Sequence, residues 1–408
     1  MIYYHRLTIK DTDVAIKSYK FRIYPTKTQR DSLYQMLFIS RVIYNRLLAH
    51  RKHEWELRSR HVYRDEQQRF MKQWRNAIDD GFLPSQMALC TSVRRLEKAM
   101  KAFFRRIKSG DSPGYPRFKG RHFWNSLEAT AGKGQCIRLD GQRLYVLRVG
   151  RIRVRWHRQL PEGAKIKYGI ISVKNNRWYV VLQCEIPEAK KRTESLPVVG
   201  IDVGIRWALA LSDGAVYEAP KPLQASLAKK RRLNRSLARK KGAGGPGKKS
   251  LRWHRIKRQI ARLDEHIANQ RRDWQHKVTT ELVNKYGGFV LEKLSLKFMT
   301  QNSNLSRTVH DIGLGGLRTM LETKAAALGL PVVYVDAKYT SQTCPACGAV
   351  KPKSLKERAH VCECGFEADR DVSAAIVILQ RAIEGEMLPA GANVDGCVMR
   401  SPRIPTNA

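Results

Sequence analysis

VVGIDVGIRWALALSDGAVYEA, residues 198–219, is the stretch on which the reading of this chain turns. Apolar residues run from Val198 to Val203 around a single acid, Asp202, and two short β-prone runs follow at tight turns. The pattern predicts three strands. A carboxylate inside an apolar strand is costly to bury unless it binds a cation or is paired. A second such acid, Glu292, stands 90 residues further on in GGFVLEKLSL (287–296), predicted as another strand. A third, Asp371, opens DVSAAIVILQRAI (371–383), predicted as a helix, with Asp369 just ahead of it. Three acids at one sheet edge are a ligand set for a Mg²⁺ pair cutting a phosphodiester in line, one ion readying water and the other stabilising the leaving oxygen. Each acid alone has a plainer explanation, Asp202 as half of a buried salt bridge and Asp371 as a helix N-cap. Spacing alone leaves both readings open.

Between these acids the texture is basic. No Asp or Glu stands between Glu218 and Asp264, while Lys and Arg recur on both sides of GAGGPG (242–247), and Ile256, Ile260, Leu263 and Ile267 mark a helix. LGGLRTMLETKAAALG (314–329) predicts a further helix and PVVYVDAK (331–338) a buried strand. Then come Cys344-Pro-Ala-Cys347-Gly and Cys362-Glu-Cys364-Gly. Two close pairs of thiolates, each followed by a glycine that lets the backbone turn, suit one tetrahedral Zn²⁺. The single residue inside the second pair departs from the usual two, and a redox C-x-x-C would leave that pair unexplained. Lys351, Lys353, Lys356 and Arg358 in the intervening loop suggest phosphate contact.

Toward the amino terminus, YKFRIYP reads as a strand stopped by Pro25, and Thr26 with Gln29 forms a capping-box pattern for a helix carrying Leu33, Leu37 and Leu48. Leu89, Val93, Leu96, Met100, Phe103 and Ile107 give one apolar stripe, so residues 26–107 predict a small helical bundle. RLYVLR, RIRVRW, KIKYGIISV and RWYVVLQC predict a small barrel or sandwich, which the first strand can join so that the bundle is an insertion.

The 408 residues suggest two or three domains, and 42% apolar residues suffice for packed cores. Against 36 acids stand 77 Lys and Arg, a net charge of +41, which calls for a polyanionic partner, nucleic acid by default. No apolar run approaches the ~20 residues that span a bilayer, and the first residues lack a signal-peptide pattern. No membrane partner and an intracellular setting are expected. Cys90, Cys136, Cys184 and Cys397 are scattered.

These stretches together resemble TnpB, the OrfB-type protein of small insertion-sequence transposons and a relative of compact type V CRISPR nucleases. YKFRIYPTKTQ (19–29) with VIYN (42–45), GYPRFKG (114–120) before Asn125-Ser126, GIDVGIRWALALSDG (200–214), VLEKLSLKFM (290–299), and YTSQTCPACG (339–348) with ADRDVSAA (368–375) stand in the family's order across about residues 18–385. The resemblance implies α/β and all-β parts. Residues 1–25 and 123–190 would form a WED β-barrel, 26–122 an inserted helical REC bundle, and 191–338 with 366–385 an RNase H-like RuvC nuclease domain. A zinc-binding insertion for the target nucleic acid at 339–365 completes it, and residues 386–408, rich in Pro, Gly, Asn and Ser, read as a flexible tail.

The resemblance further implies an endonuclease guided by RNA from the transposon end, cutting double-stranded DNA beside a short adjacent motif. Asp202, Glu292 and Asp371 would be the catalytic ligands of two Mg²⁺, with Asp369 the weaker candidate for the third place, and Cys344, Cys347, Cys362 and Cys364 would hold one Zn²⁺. Ser373 replaces the family's usual Asn and is expected to weaken, without abolishing, support for Asp371. Tyr63, Gln86 and Met87 fall where family members read the adjacent motif. Arg117, Lys119, Lys229, Lys230, Arg231, Arg232, Arg255 and Arg258 would contact nucleic acid in a nucleoid-associated, prokaryotic setting. Two neighbouring readings stay open: a guided DNA-binding repressor without cleavage, which loss of an acid would mark, and an effector from a CRISPR locus.

Overall fold

Pro25 has no N–H to extend the sheet, and Thr26 behind it starts a helix: its Oγ1 accepts from Gln29 N at 3.3 Å while Gln29 Oε1 accepts from Thr26 N at 3.0 Å. The computed structural model describes residues 14–77, 86–132, 135–187, 194–240, 249–293, 301, 303–354, 357–389 and 391–394. The chain divides into two units, Met1–Glu188 and Ala189–Ala408. Among the described residues no helix is long and apolar enough to cross a membrane.

In the first unit, β1 (Val14–Tyr24) leads into α1 (Lys27–Arg58), α2 (Arg64–Ala77) and α3 (Gln86–Lys108). Helix α1 buries Leu33, Leu37, Ser40, Tyr44, Leu47 and Arg51, steps of three and four along one face. It crosses α3 at two small residues, where Ser92 Oγ donates to Ser40 O at 2.7 Å. Six strands follow: β2 (Ser126–Thr130), β3 (Ile137–Asp140), β4 (Arg143–Val146), β5 (Gly150–Arg155), β6 (Lys165–Lys174) and β7 (Arg177–Pro187). The sheet order is β2-β6-β7-β1-β5-β4-β3, so the first strand lies in the middle. An isolated bridge from Ala131, just past β2, to Ile137 at the start of β3 joins the two edges. Gly169 makes room inside the closure, since a Cβ there would stand 1.9 Å from Ile137 Cδ1. Strand β7 alternates strictly, with Trp178, Val180, Leu182, Cys184 and Ile186 buried.

The α3 stripe departs from the sequence expectation at its ends. Ile107 is 48% exposed, whereas Met87 is buried at 1%.

In the second unit, β8 (Val198–Asp202), β9 (Leu209–Leu211) and β10 (Val216–Tyr217) form the expected antiparallel meander. After α4 (Pro222–Arg239) and α5 (Leu251–Lys285) comes β11 (Gly288–Glu292), then α6 (Ser303–Ile312), α7 (Leu314–Leu328) and β12 (Val332–Val335). Strands β11 and β12 add parallel to β8, giving the order β10-β9-β8-β11-β12. Three antiparallel strands with two parallel ones beside the first make the RNase H-like arrangement. The hairpin β13 (Ala359–Val361) and β14 (Glu367–Asp369) precedes α8 (Arg370–Glu384), which lies across the sheet.

Two expectations fail here. β12 is half-exposed at Val332, Val333 and Tyr334 rather than buried, because it is the edge strand of its sheet. The supposed tail is anchored at least to Asn393. Val198 N donates to Asn393 O at 2.7 Å, and Leu388 and Ala392 pack on the core. Residues 395–408 lie outside the described part.

Candidate active site and metal centre

Strands β8 and β11 run parallel with Leu291 opposite Ile201, so Asp202 and Glu292 end adjacent strands side by side. Gly200 and Asp202 face the same side of β8, because side chains alternate along a strand. That side is covered by α8 so closely that a Cβ at Gly200 would stand 2.2 Å from Ala375 O and 2.9 Å from Leu379 Cβ. One turn before Ala375, on the same helix face, is Asp371. Its Oδ2 lies 3.8 Å from the place of a Cβ on Gly204, two residues beyond Asp202. Packing α8 on a glycine thus delivers the third acid to the first two.

The electrostatics record the convergence. Burial pushes the Asp202 carboxyl well above the usual carboxylate range, and the charges of Glu292 and Asp371 push the same way. Burial likewise raises Glu292, against the opposing pull of a hydrogen bond from Thr340 and the charge of Arg381. Burial, then Asp369, raises Asp371, against Arg358, Arg370 and Arg206. Among the described residues none of the three carboxylates has an ion-pair partner, so the salt-bridge explanation of Asp202 falls away. Hard oxygen ligands clustered without a direct ion-pair partner are the donor set a divalent cation takes.

Asp371 is not the N-cap. Asp369 is, its Oδ1 accepting from Asp371 N at 2.9 Å while Oδ2 pairs with Arg206 at 3.4 Å. Ser373 Oγ donates to Asp369 O at 2.9 Å, one turn back in its own helix. Its hydroxyl therefore supports the cap and not Asp371 itself.

The four cysteines meet. Their sulfurs all lie within 4.8 Å of one another, with Cys344 and Cys364 3.7 Å apart and Cys347 and Cys362 3.5 Å apart. A tetrahedron with Zn–S bonds of about 2.3 Å has sulfurs about 3.8 Å apart. Backbone N–H groups of Ala349, Cys364 and Phe366 point at Cys347, Cys362 and Cys364. The Cys364 amide first, and then the side chains of Cys347, Cys344 and Cys364, bring the Cys362 thiol down to about 7. The short C-x-C pair thus still presents both sulfurs. Among the described residues only these cysteines gather metal-ligand atoms so tightly.

The nucleic-acid candidates divide. Lys229, Arg231 and Arg232 on α4 and Arg255 and Arg258 on α5 are exposed. Lys230 is half-buried and pairs with Asp264 at 2.7 Å, closing the α4–α5 hairpin. Arg117 is exposed. Lys119 is half-buried, its segment held to α1 by Asn45, which accepts from Lys119 N at 2.8 Å and donates to Lys119 O at 3.1 Å. Two sequence motifs, VIYN and GYPRFKG, are therefore the halves of one joint, a role the sequence alone did not signal. Tyr63 is 67% exposed and Gln86 is exposed. Met87 is buried instead, at the head of the apolar stripe of α3.

Family models match in three places: residues 15–60 to the "Helix-turn-helix domain" of OrfB proteins, 181–303 to OrfB of IS605-type elements, described as "Probable transposase", and 315–378 to "Cas12f1-like, TNB domain". A Streptomyces pristinaespiralis protein named "Putative RNA-guided DNA endonuclease" is 31% identical over 370 residues, 89% of this chain and 88% of its own. The Escherichia coli K12 protein "Putative RNA-guided DNA endonuclease InsQ" is 30% identical over 402 residues, 92% of this chain and 96% of its own. The chain belongs to the TnpB/OrfB family. Its fold resembles the protein in a Cas12f1-sgRNA-target DNA complex, with a TM-score of 0.58 and 12% identity over 90% of this chain and 99% of that one. The stretch matched as a helix-turn-helix folds in this TnpB-family chain as strand β1 and the single helix α1.

Proposed function

We propose that this chain is an RNA-guided DNA endonuclease that hydrolyses phosphodiesters at Asp202, Glu292 and Asp371 with two Mg²⁺ ions. The observation that carries the reading is the convergence of three carboxylates, each raised by burial and none ion-paired among the described residues, at one end of an RNase H-like sheet. The names of the TnpB-family relatives and the likeness to a guide-bound, DNA-bound fold support it. Bound there, Mg²⁺ would supply an activated water and a stabilised leaving oxygen. The chain's own part is positional: two strands fix Asp202 and Glu292, the helix packed on Gly200 fixes Asp371, and Asp369 with Ser373 holds the start of that helix.

By the same reading the closed sheet of the first unit is the WED barrel and α1–α3 the REC insertion, together seating the guide RNA. Tyr63 and Gln86, each exposed, would read a short motif in DNA. The exposed Lys229, Arg231, Arg232, Arg255 and Arg258 would follow a phosphate backbone, while pairing reads the sequence. Arg117 is a further phosphate candidate. The four cysteines would hold one Zn²⁺ as a structural knuckle near the target. The protein would act in the cytoplasm, at the nucleoid.

The test is cleavage by the protein co-expressed with the DNA flanking its own gene. The purified complex is given a plasmid library with randomised bases beside a guide-matched target, with Mg²⁺ or EDTA. Mg²⁺-dependent cuts beside one enriched motif, lost in Asp202→Ala, are expected. Binding to the motif without cutting by the wild type would leave a guided repressor instead. Asp202→Asn carries a second expectation. In metal-free protein it relieves burial and repulsion, so thermal unfolding shifts upward, about 2–4 °C per kcal/mol gained for a unit of this size.

A further inference from the structure

Thr340 stands four residues before Cys344 and is 5% exposed. Its Oγ1 lies 3.2 Å from Glu292 Oε2 and 3.3 Å from Ala337 O. A hydroxyl has one proton to donate, and of these two acceptors the buried carboxylate is the charged one, so the stronger bond goes to Glu292. The contact is the one hydrogen bond to the Glu292 side chain among the described residues.

The segment carrying Thr340 is fixed from three sides. Tyr339 adopts a left-handed φ of +62°, and its carbonyl accepts from Gln342 N at 3.0 Å, Thr343 N at 3.0 Å and Thr343 Oγ1 at 2.8 Å. Arg381 on α8 donates to Asp336 O and Lys338 O, both at 2.8 Å, and Arg370 donates to Ser341 Oγ at 3.3 Å. On the other side Cys344 N donates to Ala349 O at 2.8 Å and Lys351 N to Gln342 O at 3.0 Å, welding the turn to the cysteine knuckle. The non-glycine left-handed residue is strain that such surroundings hold in place.

We propose that Thr340 is a positioning residue for Glu292, through which the cysteine knuckle braces the catalytic acid. This rests on the functional reading above. The hydroxyl occupies Oε2 and sets the carboxylate plane, leaving Oε1 for a cation. Without it a buried carboxylate loses its hydrogen-bond partner, rotates freely and holds a divalent ion less well. Nothing in the composition of YTSQTCPACG distinguishes this threonine from its neighbours Ser341 and Thr343; only the fold brings it to an acid 48 residues away.

The test uses full-length protein with its zinc content measured, titrated calorimetrically with Mn²⁺ alone in place of Mg²⁺. Wild type is compared with Asp202→Ala, Thr340→Val, Thr340→Ser, Glu292→Gln, and Thr340→Val combined with Glu292→Gln. A hydrogen bond to a charged group predicts about tenfold or greater weakening of Mn²⁺ binding in Thr340→Val, with Thr340→Ser within about threefold of wild type. On Glu292→Gln the valine adds nothing further. Wild-type affinity in Thr340→Val, equal loss in the serine variant, or an undiminished valine effect on Glu292→Gln would each overturn the inference. Should Thr340→Val shed its zinc, Thr340→Ala takes its place in the same comparison. A wild type with no Mn²⁺ site sensitive to Asp202→Ala would overturn the metal reading itself, and is distinct from an intact site indifferent to Thr340.

Discussion

Glu128 and Asp202 pose the same problem, an acid inside a strand, and this chain answers it in two ways. Glu128 in β2 is 7% exposed and fully partnered: Tyr168 Oη donates at 2.7 Å, Arg95 Nε at 3.1 Å and Lys98 Nζ at 3.5 Å. Burial pushes its carboxyl up, but these donors outweigh burial and hold it below the ordinary range. Asp202 has a backbone hydrogen bond from Val203 and the charge of Arg370 in its favour, but burial and the charges of Glu292 and Asp371 outweigh them and push it up. The first acid is satisfied within the fold, and the second is the one we propose as a cation ligand. Since the folded-state value of Glu128 is depressed, its contribution is present above the unfolded carboxyl value of about 4.3 and is lost as pH falls through the folded value. Glu128→Gln should cost about 1–3 kcal/mol near neutral pH. In urea unfolding followed by tryptophan fluorescence, the gap between variant and wild type should close below about pH 4. A gap that persists unchanged in acid would contradict the assignment.

At the scale of elements, helix starts show how local and distant signals divide. The Thr26 box lies within four consecutive residues and is legible in the sequence. Helix α4 has Lys221 at its N-cap in a left-handed conformation with no side-chain bond. Its first amides are capped from elsewhere: Asp311, 3% exposed at the end of α6, accepts from Leu223 N at 2.8 Å and Gln224 N at 2.9 Å. Arg271 of α5 donates to Asp311 O at 2.6 Å and ion-pairs with its carboxylate at 3.4 Å, so one aspartate ties α4, α5 and α6 together. Asp311→Ala is expected to destabilise the second unit by about 1–3 kcal/mol, leaving two amides without their acceptor and Arg271 without its ion pair, though still bound to the backbone oxygen of residue 311. Hydrogen exchange should quicken at the first turn of α4 and leave β8 and β11 protected. Exchange rates unchanged at Leu223 and Gln224 would refute the capping role.

Across the whole molecule the net charge of +41 makes binding to nucleic acid a salt-dependent quantity. The structure sorts the basic residues that composition cannot. Arg231 and Arg232 are exposed, whereas Lys230 is already neutralised by Asp264. With a single-stranded RNA of arbitrary sequence, the plot of log affinity against log salt should flatten by about 0.7 for each of Arg231→Ala and Arg232→Ala. Lys230→Ala should leave that slope unaltered and lower the thermal stability of the second unit instead. Fluorescence anisotropy at several salt concentrations checks both, and an equal change in slope for all three would show that exposure does not govern contact.

Local chemistry and family pattern made much of this legible in advance. The β8–β10 meander follows from alternation and turns, α1, α3 and α5 from their apolar stripes, and the cysteine cluster from paired cysteines, because each depends on residues near one another in the chain. Asp202 and Glu292 drew notice as acids among apolar neighbours, which is also a local property. What tertiary structure alone decided lies between distant residues. It placed Asp371 over Asp202 by packing α8 against Gly200, gave the N-cap to Asp369, buried Met87, neutralised Lys230, and set Thr340 against Glu292 and Asn45 against Lys119. A hydrogen bond or a close approach between residues tens of positions apart leaves no period and no spacing in the sequence, so only the folded chain reveals it.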